Sequence, residues 1–442
     1  MSAQETPSPS AKTSTPLTWC PKGSVEQGTK RTKTVDLGSP AIKGGAPGVV
    51  GNPNFDHREL NIVWPQTVTE LHVHLGGSVP LYRLWEIAID RGIRGIGSGY
   101  EDFVSLLKIQ DGKVRDLDEY LEVYDKIELI QSGPASVRES IIIAIHRAYR
   151  TGGMISVGPG GEGGSPESLF AIGRLEIRWN PMKRTGAVFL KGSHAGLYDV
   201  DRVIKSGINA VEEVEIGFRD KIQVGHIFCF GRDMAFEANM ALARKTRLWR
   251  ERTNKIVGID LAGHESVNPL SSPRKLEEMR IVFEEAGPGL GRTVHVGETP
   301  HVDIETFIRT VEVLQPARVG HPISAVRALW NNKDDRGLKL LKERGIVCEL
   351  CVKSNLLTGA LRDLEEYGRF INTLDDYQIE YTFSTDAPSL QGTSLAEELL
   401  MLLSTKAATP DQVLRALKTA ERASFLPPLN SKGKEIRQTT GE

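Results

Sequence analysis

The 442-residue chain carries 55 basic and 57 acidic residues, a formal net charge of −2 with both signs intermixed, which argues against a polyanion-binding surface or an anionic membrane as partner. No apolar run approaches the roughly 20 residues of a membrane span, and the amino terminus lacks the apolar core of a signal peptide. With four scattered cysteines (Cys20, Cys229, Cys348, Cys351) there is no disulfide framework, so a soluble, unexported, cytoplasmic protein is expected.

Residues 1–55 are rich in Ser, Thr, Pro, Gly and Lys without apolar periodicity and read as a disordered tail. The remainder, 56–428, is expected to be one large domain, with 429–442 a flexible end. Thr67 to Val73 makes a first strand. Apolar residues then recur at three and four spacing over Leu81–Asp90, Tyr100–Lys108, Leu117–Leu129 and Ala135–Tyr149, which predicts a helical cap at about 80–150. Residues 151–168 are dense in glycine. No Gly-Lys-Ser/Thr follows and no strand leads straight into them, so a flexible loop is favoured over a phosphate cradle.

Beyond the loop, strand and helix alternate, the pattern of parallel βαβ units. Strands are predicted at Ala171–Ile177, Ile222–Phe228, Ile256–Leu261, Thr293–Val296, Arg318–Gly320, Ile346–Leu350 and Tyr381–Ser384. Helices are predicted at Asp201–Arg219, Asp233–Arg252, Pro273–Ala286, Asp303–Leu314, Ala325–Arg344, Leu361–Asp375, Leu395–Lys406 and Pro410–Ser424. The fold class is therefore α/β, a (β/α)8 TIM-type barrel with a helical insertion after strand 1. Cys348 and Cys351 form a lone C-x-x-C whose side chains leave a strand on opposite faces, so they read as buried structural thiols.

The chemically able residues fall at the carboxyl ends of these strands, where barrel sites are built. His72 and His74 end strand 1 on the same side and can close on one metal ion. Gly263 follows strand 4, His295 and Glu298 end strand 5, His321 ends strand 6, Ser354 and Asn355 follow strand 7, and Asp386 ends strand 8. A lone histidine at a strand end is usually a satisfied core residue, but polar groups at the same end of successive strands are hard to assign to packing.

The segments His-Val-His-Leu (72–75), Gly-Ile-Asp-Leu-Ala-Gly-His-Glu (258–265), Thr-Val-His-Val-Gly-Glu (293–298), Arg-Val-Gly-His (318–321), Ser-Asn-Leu-Leu-Thr-Gly-Ala (354–360) and Ser-Thr-Asp-Ala-Pro (384–388) together resemble the adenosine deaminase family of the amidohydrolase superfamily, in its order and spacing. The resemblance implies that His72, His74, His295 and Asp386 bind one zinc ion per chain. It implies that Glu298 protonates the ring nitrogen beside the amine-bearing carbon, that His321 orients and deprotonates the attacking water, and that Asp386 takes part in catalysis. Gly263, through its backbone amide, His74 and Ala387 are the implied substrate contacts. Zinc lowers the pKa of a bound water to roughly 7, and a carboxylic acid kept neutral in a closed pocket suits proton delivery to the ring. Strand 4 ends in Asp260-Leu261-Ala262-Gly263 without the lysine that commonly bridges two metals, so one metal is expected. The His-x-Glu with Pro-Cys-x-x-Cys pattern of base-flipping deaminases is missing.

Two positions depart from the family pattern. Leu75-Gly76-Gly77 stands where an aspartate near the ribose hydroxyl is usual, and Ala387 stands where a second aspartate usually meets the purine five-membered ring. Gly76 is expected to open space for a larger 5′ substituent. Lys183 and Arg184, just beyond strand 2, are either partners for an anionic substituent or merely solvated. The expected activity is zinc-dependent hydrolytic deamination of adenosine or a related aminopurine nucleoside or nucleotide, with a small-molecule substrate as the partner and no nucleic acid or membrane. Deamination of another amino-heterocycle is the alternative, and a catalytically silent binding relative a third.

Overall fold

The computed structural model describes residues 56–109, 114–155, 167–186 and 198–428. The expected tail (1–55), most of the glycine-rich stretch and the expected flexible end (429–442) lie outside the described residues.

Short runs of β-branched and aliphatic residues between amphipathic helices become eight parallel strands: β1 Thr67–His74, β2 Ala171–Trp179, β3 Gln223–Gly231, β4 Ile256–Ala262, β5 Gly291–His295, β6 Arg318–Gly320, β7 Val347–Leu350 and β8 Tyr381–Phe383. They pair in sequence order, and a parallel bridge between Val73 and Asp386 joins the last edge to the first. Both backbone bonds of that seam, His74 N–H to Asp386 O at 2.8 Å and Asp386 N–H to His72 O at 2.9 Å, involve residues of the expected site. The fold is a (β/α)8 barrel with helices outside, as the alternation requires.

The insertion after β1 forms α1 (Leu75–Ser78), α2 (Leu81–Asp90), α3 (Tyr100–Leu107), α4 (Leu117–Ile130) and α5 (Pro134–Thr151). Leu84, Ile87, Phe103, Leu107, Tyr120, Val123 and Ile127 form a separate apolar cluster that also takes in Leu357, Ala387 and Leu390, so the cap packs over the β7 and β8 loops. Asp116 accepts from the Glu119 N–H and starts α4, which places Tyr120, Tyr124 and Glu128 at four-residue spacing on one face.

Two expectations are corrected. The single helix expected over 325–344 is two, Ile323–Asn332 and Arg336–Arg344. Asn331 to Asp335 has no apolar residue to hold a further turn on the core, and Lys333 turns left-handed at φ 60° to cap the first helix. The stretch expected as one loop at 151–168 carries at its ends an antiparallel pairing of Met154–Ile155 with Glu167–Ser168.

The barrel interior is not purely apolar. Arg178 lies 2.8 Å from Glu349 and 3.4 Å from Asp260, and Arg318 lies 2.7 Å from Glu349 and 2.6 Å from Glu176, all fully or almost fully buried. Below this layer the chain re-enters after the last helix. Phe425 stacks on Arg318 at 3.6 Å and fills the room left by Gly258 and Gly291, while Leu426 packs on Ile227 and Val257. No helix among the described residues is long and apolar enough to cross a membrane.

Candidate active site

At the carboxyl end of the barrel, His74 Nε2 lies 3.1 Å from His295 Nε2 and 3.5 Å from Asp386 Oδ1, and His72 Nε2 lies 3.8 Å from the same carboxylate oxygen. These four residues are the ones expected to hold a metal. His321 joins them: one of its ring nitrogens comes within 4.8 Å of a ring nitrogen of His72 and of His295. His72 Nε2 is buried and has no hydrogen-bond partner among the described residues. A buried lone pair facing other lone pairs is costly unless a cation binds them, so the donor set fits a divalent ion.

Each donor is held from behind. His72 Nδ1 lies 2.9 Å from Glu349 and His295 Nδ1 lies 3.0 Å from Asp260, the carboxylates that Arg178 also meets. Ser354 Oγ donates to Asp386 Oδ2 at 2.6 Å. Such partners orient ligands and raise their basicity. Burial, with the nearby charges of Arg178 and His295, holds His72 and His74 well below the ordinary histidine range and so in the neutral state that ligation needs. Burial acts likewise on His295, but the Asp260 carboxylate outweighs it and raises that ring; Asp260 itself, though buried, is lowered by His295 and Arg178.

Glu298 stands beside this cluster, 5% exposed, and accepts from Thr358 Oγ1 at 3.2 Å and Asn355 Nδ2 at 3.4 Å. Burial, then the charges of Asp386 and Glu265, push its carboxyl up to about 8, so it is mostly protonated at neutral pH. Glu265 also lines the cavity, but it is committed to holding the segment that carries Glu298, accepting from Gly297 N–H, Thr299 N–H and Thr299 Oγ1 at 2.6–2.8 Å. His321 contacts Asn355 Nδ2 at 2.8 Å, and burial with the neighbouring His295 lowers its ring to about 4. A neutral imidazole next to a neutral carboxylic acid gives one proton acceptor and one proton donor on the same wall.

These groups floor a cavity whose other walls come from α4 (Leu117, Tyr120, Tyr124) and from the loop after β4, where Gly263 turns at φ 103°. Across its mouth the Asp118 carboxylate lies 2.8 Å from His264 Nδ1 and accepts from Ser266 Oγ at 2.8 Å, tying α4 to that loop.

The adenosine deaminase family model matches residues 171–438. The chain belongs to the adenosine deaminase family. It is 26% identical over 358 residues to the adenosine deaminase of Clostridium kluyveri, covering 81% of this chain and 89% of that one. Among solved structures, adenine deaminase from Arthrobacter aurescens superposes with a TM-score of 0.65 at 18% identity, covering 84% of this chain and 96% of that one. N6-methyl-AMP deaminase from Arabidopsis thaliana does so with a TM-score of 0.60 at 22% identity, covering 84% and 94%. As a member of this family the chain is a hydrolase acting on a C–N bond of a cyclic amidine.

Against the family pattern, the two departures have structural counterparts that the sequence did not reveal. The room expected at Gly76 is closed: a Cβ there would lie 2.8 Å from the Tyr124 ring. Ala387 is fully buried beside Gly77, whose Cβ would come within 2.3 Å of the Ala387 methyl, and it does not border the cavity. Neither Lys183, which is partly buried, nor Arg184, which is fully buried, is a free solvated side chain. Lys183 Nζ lies 2.9 Å from Asp233 and 3.8 Å from Glu128, and buried Arg184 lies 3.8 Å from Glu128. Sequence reasoning missed Glu349, Asp260, Tyr124 and Glu128 as site residues. The signals available were charged residues inside apolar strand runs and the four-residue spacing of Tyr120, Tyr124 and Glu128.

Proposed function

We propose that this chain is a zinc-dependent hydrolytic deaminase of adenosine or a closely related aminopurine nucleoside or nucleotide, releasing ammonia. The observation that carries the reading is the convergence of His72, His74, His295 and Asp386, one nitrogen unpartnered, beside a Glu298 that keeps its proton. When bound there, zinc supplies a hydroxide nucleophile at neutral pH. The chain supplies the rest. Glu298 delivers a proton to the ring nitrogen next to the attacked carbon, His321 takes up the proton released by the attacking water, and the Gly263 amide touches the heterocycle. Burial of the whole wall keeps bulk water from competing and strengthens each of these interactions. Free, buried Cys229, Cys348 and Cys351 fit a reducing compartment such as the cytoplasm.

The closing of the Gly76 space by Tyr124 favours one second reading, deamination of a different amino-heterocycle. The test is ammonia release by the zinc-loaded protein against purines, pterins and other amino-heterocycles, with metal content measured alongside. About one zinc per chain, lost in His74→Ala, together with turnover of an aminopurine, is the expected result. Two equivalents, no metal, or exclusive turnover of a non-purine would overturn the proposal.

A further inference from the structure

The helix Val352–Leu357, which follows β7, has six residues. Ser354 on it donates to Asp386 Oδ2 at 2.6 Å, and Asn355 Nδ2 lies 2.8 Å from His321 Nδ1 and 3.4 Å from Glu298 Oε1. Thr358, just beyond its end, donates to Glu298 Oε1 at 3.2 Å. One short piece of chain therefore orients a candidate metal ligand, the proton donor and the proton acceptor. A helix of this length has little stability of its own. Cys351, at its N-cap position, makes no side-chain hydrogen bond to its first turn.

An acceptor comes instead from the helix Leu395–Ser404. Glu398 on that helix is fully buried, and its Oε2 accepts from the Lys353 N–H at 2.9 Å. It does not border the cavity. A buried carboxyl costs stability unless it is hydrogen-bonded, and burial pushes this one up to about 7 against the pull of the Lys353 N–H. The first turn of its own helix is anchored in turn, because Ser394 Oγ accepts from the Glu397 N–H at 3.1 Å and donates to Met154 O at 2.8 Å. Resting on the deaminase reading above, we infer that Glu398 is a positioning residue for the reaction: it caps the helix Val352–Leu357 from outside and so holds Ser354, Asn355 and Thr358 against Asp386, His321 and Glu298. The role requires reach and an acceptor oxygen rather than charge.

Three variants separate these properties. Glu398→Gln keeps the reach and an acceptor oxygen without the charge, Glu398→Asp keeps the charge but is one methylene shorter, and Glu398→Met fills the volume with no acceptor. For each, kcat and KM of the zinc-loaded full chain for adenosine are measured, with hydrogen exchange of the 352–358 amides on the same preparation. In Glu398→Asp and Glu398→Met, kcat is expected to fall about 10-fold or more with KM nearly unchanged. Exchange over 352–358 is expected to quicken by about 10-fold or more, with the barrel strands at parental rates. Glu398→Gln is expected to keep parental exchange and a kcat within about threefold of the parent. If Glu398→Met does not fold, Glu398→Asp carries the same comparison. Absent ammonia release by the parent refutes the deaminase reading, and the exchange pattern, which needs no turnover, then decides whether Glu398 holds the helix. Parental exchange in Glu398→Asp and Glu398→Met, a Glu398→Gln variant as impaired as they are, or exchange raised throughout the chain overturns the inference.

Discussion

At the scale of single residues, the site is a set of buried groups whose protonation follows from what surrounds them. Glu298 retains its proton because burial and two nearby carboxylates disfavour the charged form. Glu298→Gln is nearly isosteric and keeps the contacts to Thr358 and Asn355, so zinc content and melting temperature stay at the parental values. Turnover falls by roughly 10²-fold or more, the contribution expected of a general acid. Near-parental turnover would remove Glu298 from that role. Ser354 offers a second test, because its hydroxyl donates to Asp386. In Ser354→Ala zinc affinity, measured by competition with a chelator, drops about 10-fold or more, while stability of the metal-free protein changes by only about 1 kcal/mol. Unchanged zinc affinity means that the hydroxyl only fills space.

At the scale of elements, α1 and α4 decide what the cavity can hold. The turn from β1 into α1 passes so close to the β8 loop that a Cβ at Gly77 would come within 2.4 Å of the Ala387 side chain and backbone, while one at Gly76 would crowd the Tyr124 ring at 2.8 Å. A ring can shift and a backbone cannot. Gly77→Ala is therefore expected to cost more stability than Gly76→Ala, about 3 kcal/mol against roughly 1 kcal/mol, by the cost of overpacking, read as urea midpoints of the two variants. The reverse order would mean that the β8 loop yields more easily than the cap. Ala387→Asp, which restores the usual acidic residue in sequence, meets the same obstacle. Its carboxyl would start from a methyl wedged against Gly77, so it is expected to destabilise the fold without adding a substrate contact.

Across the whole molecule, the barrel is closed at its amino end by the segment that follows the last helix. Glu176 accepts from Ser424 Oγ at 2.8 Å and from the Phe425 N–H at 2.5 Å, Arg318 donates to Ala423 O at 2.8 Å, and the Phe425 ring covers Arg318. Phe425→Ala opens this floor and is expected to cost about 3 kcal/mol in urea unfolding; a loss below about 1 kcal/mol would show that the segment is dispensable. Acid stability has a different source. His226 on β3 is fully buried against Trp179, whose Nε1–H donates to it at 3.1 Å, and burial lowers its ring to about 4. A histidine with a depressed folded pKa contributes stability that is complete above its unfolded value, near 6.5, and is lost as pH falls toward about 4. The loss below both values is on the order of 3 kcal/mol. His226→Gln keeps an acceptor for Trp179 without a titrating ring, so its melting temperature should fall less between pH 7 and pH 4.5 than that of the parent. An identical fall would assign the acid sensitivity elsewhere.

The barrel and the cluster of polar side chains at its strand ends were legible in the sequence because both depend on local chemistry. Apolar runs bounded by helix periodicity place His72, His74, His295, His321 and Asp386 at the ends of parallel strands, and a parallel barrel brings such ends to one face whatever fills the loops. What stayed hidden depends on residues distant in sequence. The room beside Gly76 is taken by Tyr124 across the cap, and the charges of Lys183 and Arg184 are met by Glu128 and Asp233 from other elements. The second layer of Glu349 and Asp260 is set by which strands face each other across the barrel. Motif and period report what a residue can do and which face it occupies. Only the packed barrel and cap decide what stands opposite it, and that neighbour sets whether a glycine leaves space, a lysine is available or a carboxyl keeps its proton.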